Sequence, residues 1–198
     1  WRDTLAWLYE WPLFLEFDHF RVIHACWDQP LIDQFKERHI GATIDEDFLI
    51  ASEDFSLFEG KFMSRATRGA SLLLPDNLSM TGKDGYTRRT FRVKFWVEHP
   101  ESYGDVQFQP DPLDQDLAER ALTEVEKRHI PYYHYDQRPL FIGHYWQTGT
   151  PAPLVDNIAC LDYSAVKNGR LMAYRMNNEQ PLSADNFVWV NGQETLVV

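Results

Sequence analysis

Apolar residues recur at helical spacing in four segments of the chain. They are residues 1–10, 31–39, 45–54 and 114–129. In the first segment Leu5, Leu8 and Trp11 fall on one face, which is typical of an amphipathic helix. Thr43 followed by Glu46 resembles a capping box at the start of the third segment. The pattern therefore predicts helices that bury one side against the rest of the fold.

Shorter runs of alternating or continuous apolar positions predict strands. They are residues 13–17, 20–24, 87–97, 140–144, 157–162, 170–176, 187–190 and 194–198. The first two are predicted to form a hairpin through Asp18 and His19. Asn168-Gly169 predicts a two-residue turn between the fifth and sixth strands. The sequence therefore predicts an α/β (α+β) fold, with a mixed sheet that ends in antiparallel strands.

Two segments lack a clear period and are predicted to be loops. Glycines punctuate residues 59–85, which also contain Arg65 and Arg68, and prolines bound residues 100–112. Long loops in compact domains often carry functional side chains. The first of these loops is therefore a candidate for a functional segment.

The composition favours a packed globular fold, because 44% of the 198 residues are hydrophobic and 15% are aromatic. The net charge of −11 argues against a nucleic-acid polymer as the main partner. It leaves room for a phosphorylated substrate, because bound divalent cations reverse the local field. No apolar run approaches the ~20 residues of a membrane span, and no secretory signal opens the chain. We expect a cytoplasmic protein without a membrane partner, and buried thiols at Cys26 and Cys160.

Two of the seven histidines stand in matching positions at the ends of apolar strands. His24 ends residues 20–24, and His144 ends residues 140–144 directly after Gly143, which would let the backbone approach a ligand closely. Ligands of open α/β sheets gather at the carboxyl ends of strands, so two imidazoles there are suited to share one divalent cation. The alternative is that each is a structural histidine satisfied within the fold.

Three short motifs resemble those of the calcineurin-like metallophosphoesterases, and they occur in the family's order. Val22-Ile23-His24-Ala25 resembles its Val-x-His-Ala-Gly motif, and Phe141-Ile142-Gly143-His144 resembles its later Gly-His motif. Residues 158–162, followed by Asn168-Gly169-Arg170-Leu171, resemble its closing pair of strands. Trp146 stands where another branch has a second histidine, so the resemblance is nearest to the bacterial serine/threonine protein phosphatases and diadenosine tetraphosphatases.

The resemblance covers residues 1–175 and implies that the chain, residues 1–198, is only the C-terminal portion of one metallophosphoesterase domain, a four-layer β-sandwich. The sequence lacks the family's Asp-x-His, Gly-Asp-x-x-Asp-Arg-Gly and Gly-Asn-His-Glu motifs, which supply the first metal site and part of the second. Cys26 stands where the family usually has Gly, and Tyr163-Ser164 stand in place of Thr-Gly. The N-terminal metal-binding half is therefore expected as a missing partner.

The resemblance further implies metal-dependent hydrolysis of a phosphoester by a water activated between two cations. His24 and His144 would bind the second cation, which is expected to be manganese, with iron, zinc, nickel or magnesium as alternatives. Arg68 and Arg92 would offset the charge of the phosphoryl oxygens, unless either forms a structural ion pair instead. The substrate is left open among a phosphoprotein, a dinucleoside polyphosphate and a small phosphate ester. The fragment alone is expected to be nearly inactive.

A non-catalytic binding module, which keeps the fold without the first metal site, is the rival interpretation and suits an acidic chain. Trp27, Tyr145 and Trp146 flank the two histidines, and they would either stack on a nucleobase or pack at the rim of the site. Asp162 is expected to fix a turn or to support a metal ligand. An apolar seam is expected where the missing half would pack, along Leu13, Leu15, Phe17, Phe20, Val22, Phe141 and Ile142.

Overall fold

A computed structural model of the chain describes residues 1–82, 85–108 and 113–192. Its helices are α1 Arg2–Tyr9, α2 Gln29–Arg38, α3 Glu46–Ala51, α4 Phe58–Arg68, α5 Tyr103–Val106, α6 Gln115–Glu119 and α7 Glu124–His129. Its strands are β1 Phe14–Glu16, β2 Arg21–Ile23, β3 Ser71–Leu73, β4 Met80–Thr81, β5 Thr87–Arg88, β6 Thr90–Val93, β7 Gln107–Phe108, β8 Leu140–Ile142, β9 Ile158–Cys160, β10 Asp162–Tyr163, β11 Arg170–Tyr174 and β12 Phe187–Asn191. The mixture of helices, one mixed sheet and antiparallel sheets confirms the α+β class.

The chain forms two compact units: residues 1–68 together with residues from 135 onward, and residues 69–134. The first unit contains a mixed sheet with strand order β1-β2-β8-β9. β1 and β2 form the predicted antiparallel hairpin, whereas β2, β8 and β9 run parallel to one another. None of the described helices is long and apolar enough to cross a membrane.

Both faces of the mixed sheet are covered within the first unit. On one face Phe14 contacts the aromatic rings of Phe35 on α2 and Phe62 on α4. On the other face Phe141 and Ala159 belong to a buried cluster with residues of the antiparallel sheet β10-β11-β12. The sheet therefore lies between a helical layer and a second, smaller sheet.

The predicted loop over residues 59–85 is wrong where α4 forms, and wrong again at the short strands β3 and β4. Gly60 lies inside this helix, and a Cβ added there would come 2.2 Å from the carbonyl oxygen of Asp54. Phe62 and Ala66 are buried on the same helix. The glycine therefore marks a close approach between two chain segments and not a break in the helix.

Two details of the helix and turn predictions in this unit also need correction. The capping box of Thr43 and Glu46 does not form, because Asp45 caps α3 by accepting a hydrogen bond from the Phe48 amide at 2.8 Å. The two-residue turn at Asn168-Gly169 is instead a connection of residues 164–169 that contains one 3₁₀ turn. The strand predicted over residues 194–198 lies outside the described residues.

The second unit is built on the antiparallel sheet β3-β6-β7, with β4 and β5 as a separate pair. Phe91, Val93 and Phe95 are buried, as the alternation of the predicted strand over residues 87–97 requires. Part of the predicted loop over residues 100–112 is helical, because Ser102 and Asp105 form a capping box that begins α5. Residues 109–112 of that loop lie outside the described residues.

The single helix predicted over residues 114–129 is two helices, α6 and α7. Arg120 has an extended backbone that ends α6, and a capping box between Thr123 and Glu126 begins α7. Leu122, between the two helices, is buried. The break therefore lets an apolar side chain enter the core at a position that a continuous helix would place differently.

Candidate functional site

The carboxyl ends of β2 and β8 bring His24 and His144 together, as the sequence predicts. The two strands are parallel neighbours, with Ile23 opposite Ile142. The Gly143 amide then donates a hydrogen bond to the His24 carbonyl at 2.9 Å. The imidazole centroids are 5.4 Å apart, and the rings are inclined by 58°. The two side chains therefore lie at one edge of the sheet and close to each other.

A tight turn after β8 sets the direction of the second imidazole. His144 has a φ of +56°, in the left-handed region that residues other than glycine rarely occupy. The amide of Tyr145 donates to the carbonyl of Gly143 across this turn. Strained backbone of this kind persists where the surroundings hold it in place, and it is concentrated at functional sites.

Gly143 lies against the first imidazole. A Cβ added at this position would lie 3.4 Å from the His24 carbonyl oxygen and 3.6 Å from its Nδ1, which are ordinary van der Waals distances. The close approach at this glycine is therefore an approach by His24, and the space there would also accept a small side chain.

The separation of the rings fits shared coordination of one cation. A metal–imidazole bond is about 2.0–2.1 Å long, so two rings on one ion have centroids roughly 5 Å apart. The rings line a groove of about 480 Å³ that also includes Asp162. The carboxylate of Asp162 accepts a hydrogen bond from the Ser164 amide at 3.0 Å, so it fixes the predicted turn. Among the described residues, no group of three or more His, Cys, Asp or Glu side chains is placed to hold a metal ion.

The two predicted phosphate-binding arginines lie in different units. Arg68 is the last residue of α4, not part of a loop, and its exposed guanidinium lies 5.6 Å from the centre of the Phe55 ring. Arg92 is a half-buried residue of β6 in the second unit, paired with Ser71 and Phe108 across the sheet. Arg68 is not among the described residues that line the histidine groove of its own unit.

Sequence reasoning overlooked Arg65 as a cation near the segment that follows His24. Its guanidinium forms an ion pair with Asp28, with Nε 3.4 Å from Oδ2, and it also lies beside the thiol of Cys26. At the next residue of α4, the carbonyl of Ala66 accepts a hydrogen bond from the Ala25 amide at 2.8 Å. Arg65 lies inside α4, so a helix predicted over residues 58–68 would have placed its side chain on a defined face of that helix.

Two of the three aromatic residues beside the histidines are packing residues. Trp27 and Tyr145 are fully buried, and Trp27 donates its indole N–H to Gln29 at 2.9 Å. Trp146 is 39% exposed. Of the three, therefore, Trp146 can stack on a ligand, whereas the buried rings of Trp27 and Tyr145 cannot.

Both cysteines are buried thiols, as predicted. Burial raises the pKa of Cys26 well above the ordinary range of a thiol. Burial likewise raises the pKa of Cys160 to about 12, and its thiol donates to the Tyr145 carbonyl at 3.0 Å. Both are neutral at physiological pH, which makes them poor nucleophiles and poor metal ligands as they stand.

The predicted apolar seam is exposed only in part. Leu15 and Phe17 are 40% and 44% exposed. The other predicted members divide between half-buried residues, which are Leu13, Phe20 and Val22, and buried residues, which are Phe141 and Ile142. The last two are covered because the β10-β11-β12 sheet and the helical layer belong to the same unit as β8.

Comparison with protein-family models, with curated proteins and with solved structures gives no match for this chain.

Proposed function

We propose that this chain is the C-terminal portion of a metal-dependent phosphoesterase of the calcineurin-like kind, in which His24 and His144 bind the second of two divalent cations. The observation that supports the proposal is the 5.4 Å separation of the two imidazoles at the carboxyl ends of parallel strands. The two histidines also belong to the sequence motifs that resemble this family. A complete N-terminal half would supply the other ligands and the first cation.

His24 and His144 would hold one cation, and the two cations of the complete site would supply Lewis-acid activation of a water and of the phosphate. The residues of this chain would hold one cation through neutral imidazole nitrogens, with the turn at His144 fixing the direction of its ring. Arg68 and the overlooked Arg65, which both belong to the same unit as the histidines, are the candidates for charge compensation at the phosphoryl oxygens. Manganese is the proposed metal, with iron, zinc, nickel or magnesium as alternatives.

The proposed substrates share a phosphate ester that can enter a shallow groove beside the histidines. They are a phosphoprotein, a dinucleoside polyphosphate or a small phosphate ester. A groove of about 480 Å³ is large enough for a phosphoryl group and part of its leaving group. A cytoplasmic location is proposed with the same function.

The test is an assay of the protein together with the polypeptide encoded upstream of residue 1, with p-nitrophenyl phosphate and Mn²⁺. His24→Ala and His144→Ala should each lower turnover by more than about 100-fold, because each removes a metal ligand. The control is His19→Ala, which changes an exposed histidine of the β1–β2 turn. Circular dichroism confirms that the variants are folded.

Two outcomes would contradict the proposal. The first is unchanged turnover in both histidine variants. The second is an upstream sequence without the ligands of a first metal site. Either result would favour the rival interpretation, a binding module that has the fold without the chemistry.

A further inference from the structure

A second cleft, next to the histidine groove in the first unit, is lined by positively charged residues although the protein is acidic. It measures about 540 Å³, within the usual size range of pockets for small ligands. It is lined by residues of the turn after β8, of the connection between β10 and β11, and of β12. They include Trp146, Gln147, Lys167, Asn168, Arg170 and Asn191. Among the described residues that line it, two are cationic and none is a carboxylate, although the chain has a net charge of −11.

The two cations of the cleft differ in how firmly they are held. Arg170 donates to the Gly149 carbonyl at 2.6 Å, and its guanidinium lies 5.3 Å from the centre of the Trp189 ring. A guanidinium has five N–H donors, and this is its one hydrogen bond among the described residues. Lys167 is exposed and forms no ion pair with any described residue. The guanidinium of Arg170 and the exposed ammonium of Lys167 are together suited to bind a phosphate group.

The wall that carries Lys167 is rigid because its backbone is closely packed. The amides of Lys167 and Gly169 both donate to the Ser164 carbonyl, at 2.8 Å and 3.0 Å. A Cβ added at Gly169 would come 1.9 Å from the carbonyl oxygen of Tyr163, so only glycine fits there. The connection is therefore preformed, and a ligand would not have to order it on binding.

The third feature of the cleft is an aromatic surface. Trp146 is 39% exposed and is one of the residues that line the cleft. Indole rings are effective stacking partners for nucleobases, because every base has a flat π-face. Gln147, Asn168 and Asn191 add amide donors and acceptors around the same cavity.

We propose that this cleft binds a nucleoside phosphate, with the base stacked on Trp146 and the phosphate held by Lys167 and Arg170. The charge selects an anion, and the indole selects an anion that carries a planar ring. The proposal does not depend on a metal at the histidine pair, because neither His24 nor His144 lines this cleft.

The test is isothermal titration calorimetry of the chain with ADP, in low salt and in the presence of EDTA, which removes any metal-dependent binding. ADP should bind saturably, and both adenosine and pyrophosphate should bind at least about tenfold more weakly, since each lacks one half of the contacts. Lys167→Gln and Trp146→Ala should each weaken the affinity for ADP by about tenfold. Both residues lie at the protein surface, so both variants should remain folded.

The matched controls are Lys61→Gln and Trp7→Ala, which change an exposed lysine of α4 and an exposed tryptophan of α1, outside the cleft. They should leave the affinity for ADP unchanged. The proposal is overturned if ADP does not bind saturably, or if the two cleft variants bind it as tightly as the unmodified protein. Equal affinity for pyrophosphate and ADP, together with no effect of Trp146→Ala, would reduce the cleft to a simple anion site and reject the nucleoside.

Discussion

The imidazoles of His24 and His144 lie 5.4 Å apart, centroid to centroid, although 120 positions separate the two residues in the sequence. Their proximity follows from the parallel pairing of β2 and β8 and from the hydrogen bond between the Gly143 amide and the His24 carbonyl. Both histidines directly follow strands of one sheet, so the backbone brings the two rings to this spacing. Two imidazoles at this spacing are a favourable start for coordination.

The first prediction is that the two rings bind Mn²⁺ together. In a titration followed by NMR, the ring signals of His24 and His144 should broaden at a lower Mn²⁺ concentration than those of the exposed His19. His24→Ala should raise the Mn²⁺ concentration needed to broaden His144 by about tenfold, because one imidazole alone holds the ion weakly. Simultaneous broadening of all three histidines would show that the pair has no preference for the ion.

The sequence predicts this site because its parts are local. Each histidine ends a short apolar run, and Ile23 and Ile142 belong to strands whose ends meet at one edge of the sheet. The sequence does not predict which neighbours accompany the pair. Trp27 and Tyr145 are adjacent to the histidines in sequence yet fully buried, because the direction of each side chain depends on turns after the strands.

The helices show the same limit. α2 can be predicted from the sequence, because its buried residues Ile32 and Phe35 follow the spacing of one helix face. α4 is hidden by Gly60, which is required because the chain turns so that the Asp54 carbonyl lies against this position. The break between α6 and α7 depends on whether Leu122 can reach the core. The path of the chain around each helix decides both cases, and the spacing of apolar residues does not contain it.

The second prediction concerns this glycine. Gly60→Ala should destabilise the protein by about 2–4 kcal/mol, because its Cβ would collide with the Asp54 carbonyl oxygen. Helix propensity alone predicts a gain of about 1 kcal/mol for the same change, so the sign of the effect separates the two explanations. Urea unfolding measures it, with Lys61→Ala on the exposed side of α4 as the near-neutral control. A stabilised Gly60→Ala variant would refute the close approach.

The third prediction is an acid-dependent contribution from Glu16. Partial burial acts to raise the pKa of this carboxyl, but hydrogen bonds from Lys36 and Arg21 outweigh burial and hold the pKa below its ordinary value of 4.5. Arg21 is itself buried, and its Nη2 lies 2.8 Å from the carboxylate. The unfolded chain therefore binds the proton more readily than the folded protein. The stabilisation is complete above about pH 4.5 and is lost as the pH falls through the folded-state pKa.

Glu16→Gln should lower the free energy of unfolding by about 2 kcal/mol at pH 7, since it leaves the buried Arg21 guanidinium without its carboxylate. The loss should shrink steadily below pH 4.5, where the carboxylate of the unmodified protein also becomes protonated. Urea unfolding across this pH range gives both values. Glu37→Gln, on the exposed face of α2, is the control. It should change the free energy of unfolding only slightly, because Glu37 is not part of the ion pair between Glu16 and Arg21. A constant difference at every pH would contradict the assignment.

The last prediction concerns Leu15 on the edge strand β1. Its side chain is 40% exposed, and neighbouring Phe17 is 44% exposed, so β1 presents apolar surface beside the histidine groove. An apolar edge strand is a template for pairing with another chain, and apolar patches tend to be covered in solution. The purified chain should therefore self-associate, and light scattering should show a mean mass that rises with protein concentration.

Leu15→Glu should reduce this association without unfolding the protein, because the side chain already reaches solvent and a charge on an edge strand opposes pairing. The matched control is Leu73→Glu, which places the same charge on a 65% exposed leucine of β3 in the second unit and should leave the association unchanged. Addition of the upstream half, if it packs on this surface as proposed, should suppress self-association of the unmodified chain. A chain that stays monomeric at all concentrations would show that Leu15 and Phe17 need no cover, and the proposed position of the missing half would then be wrong.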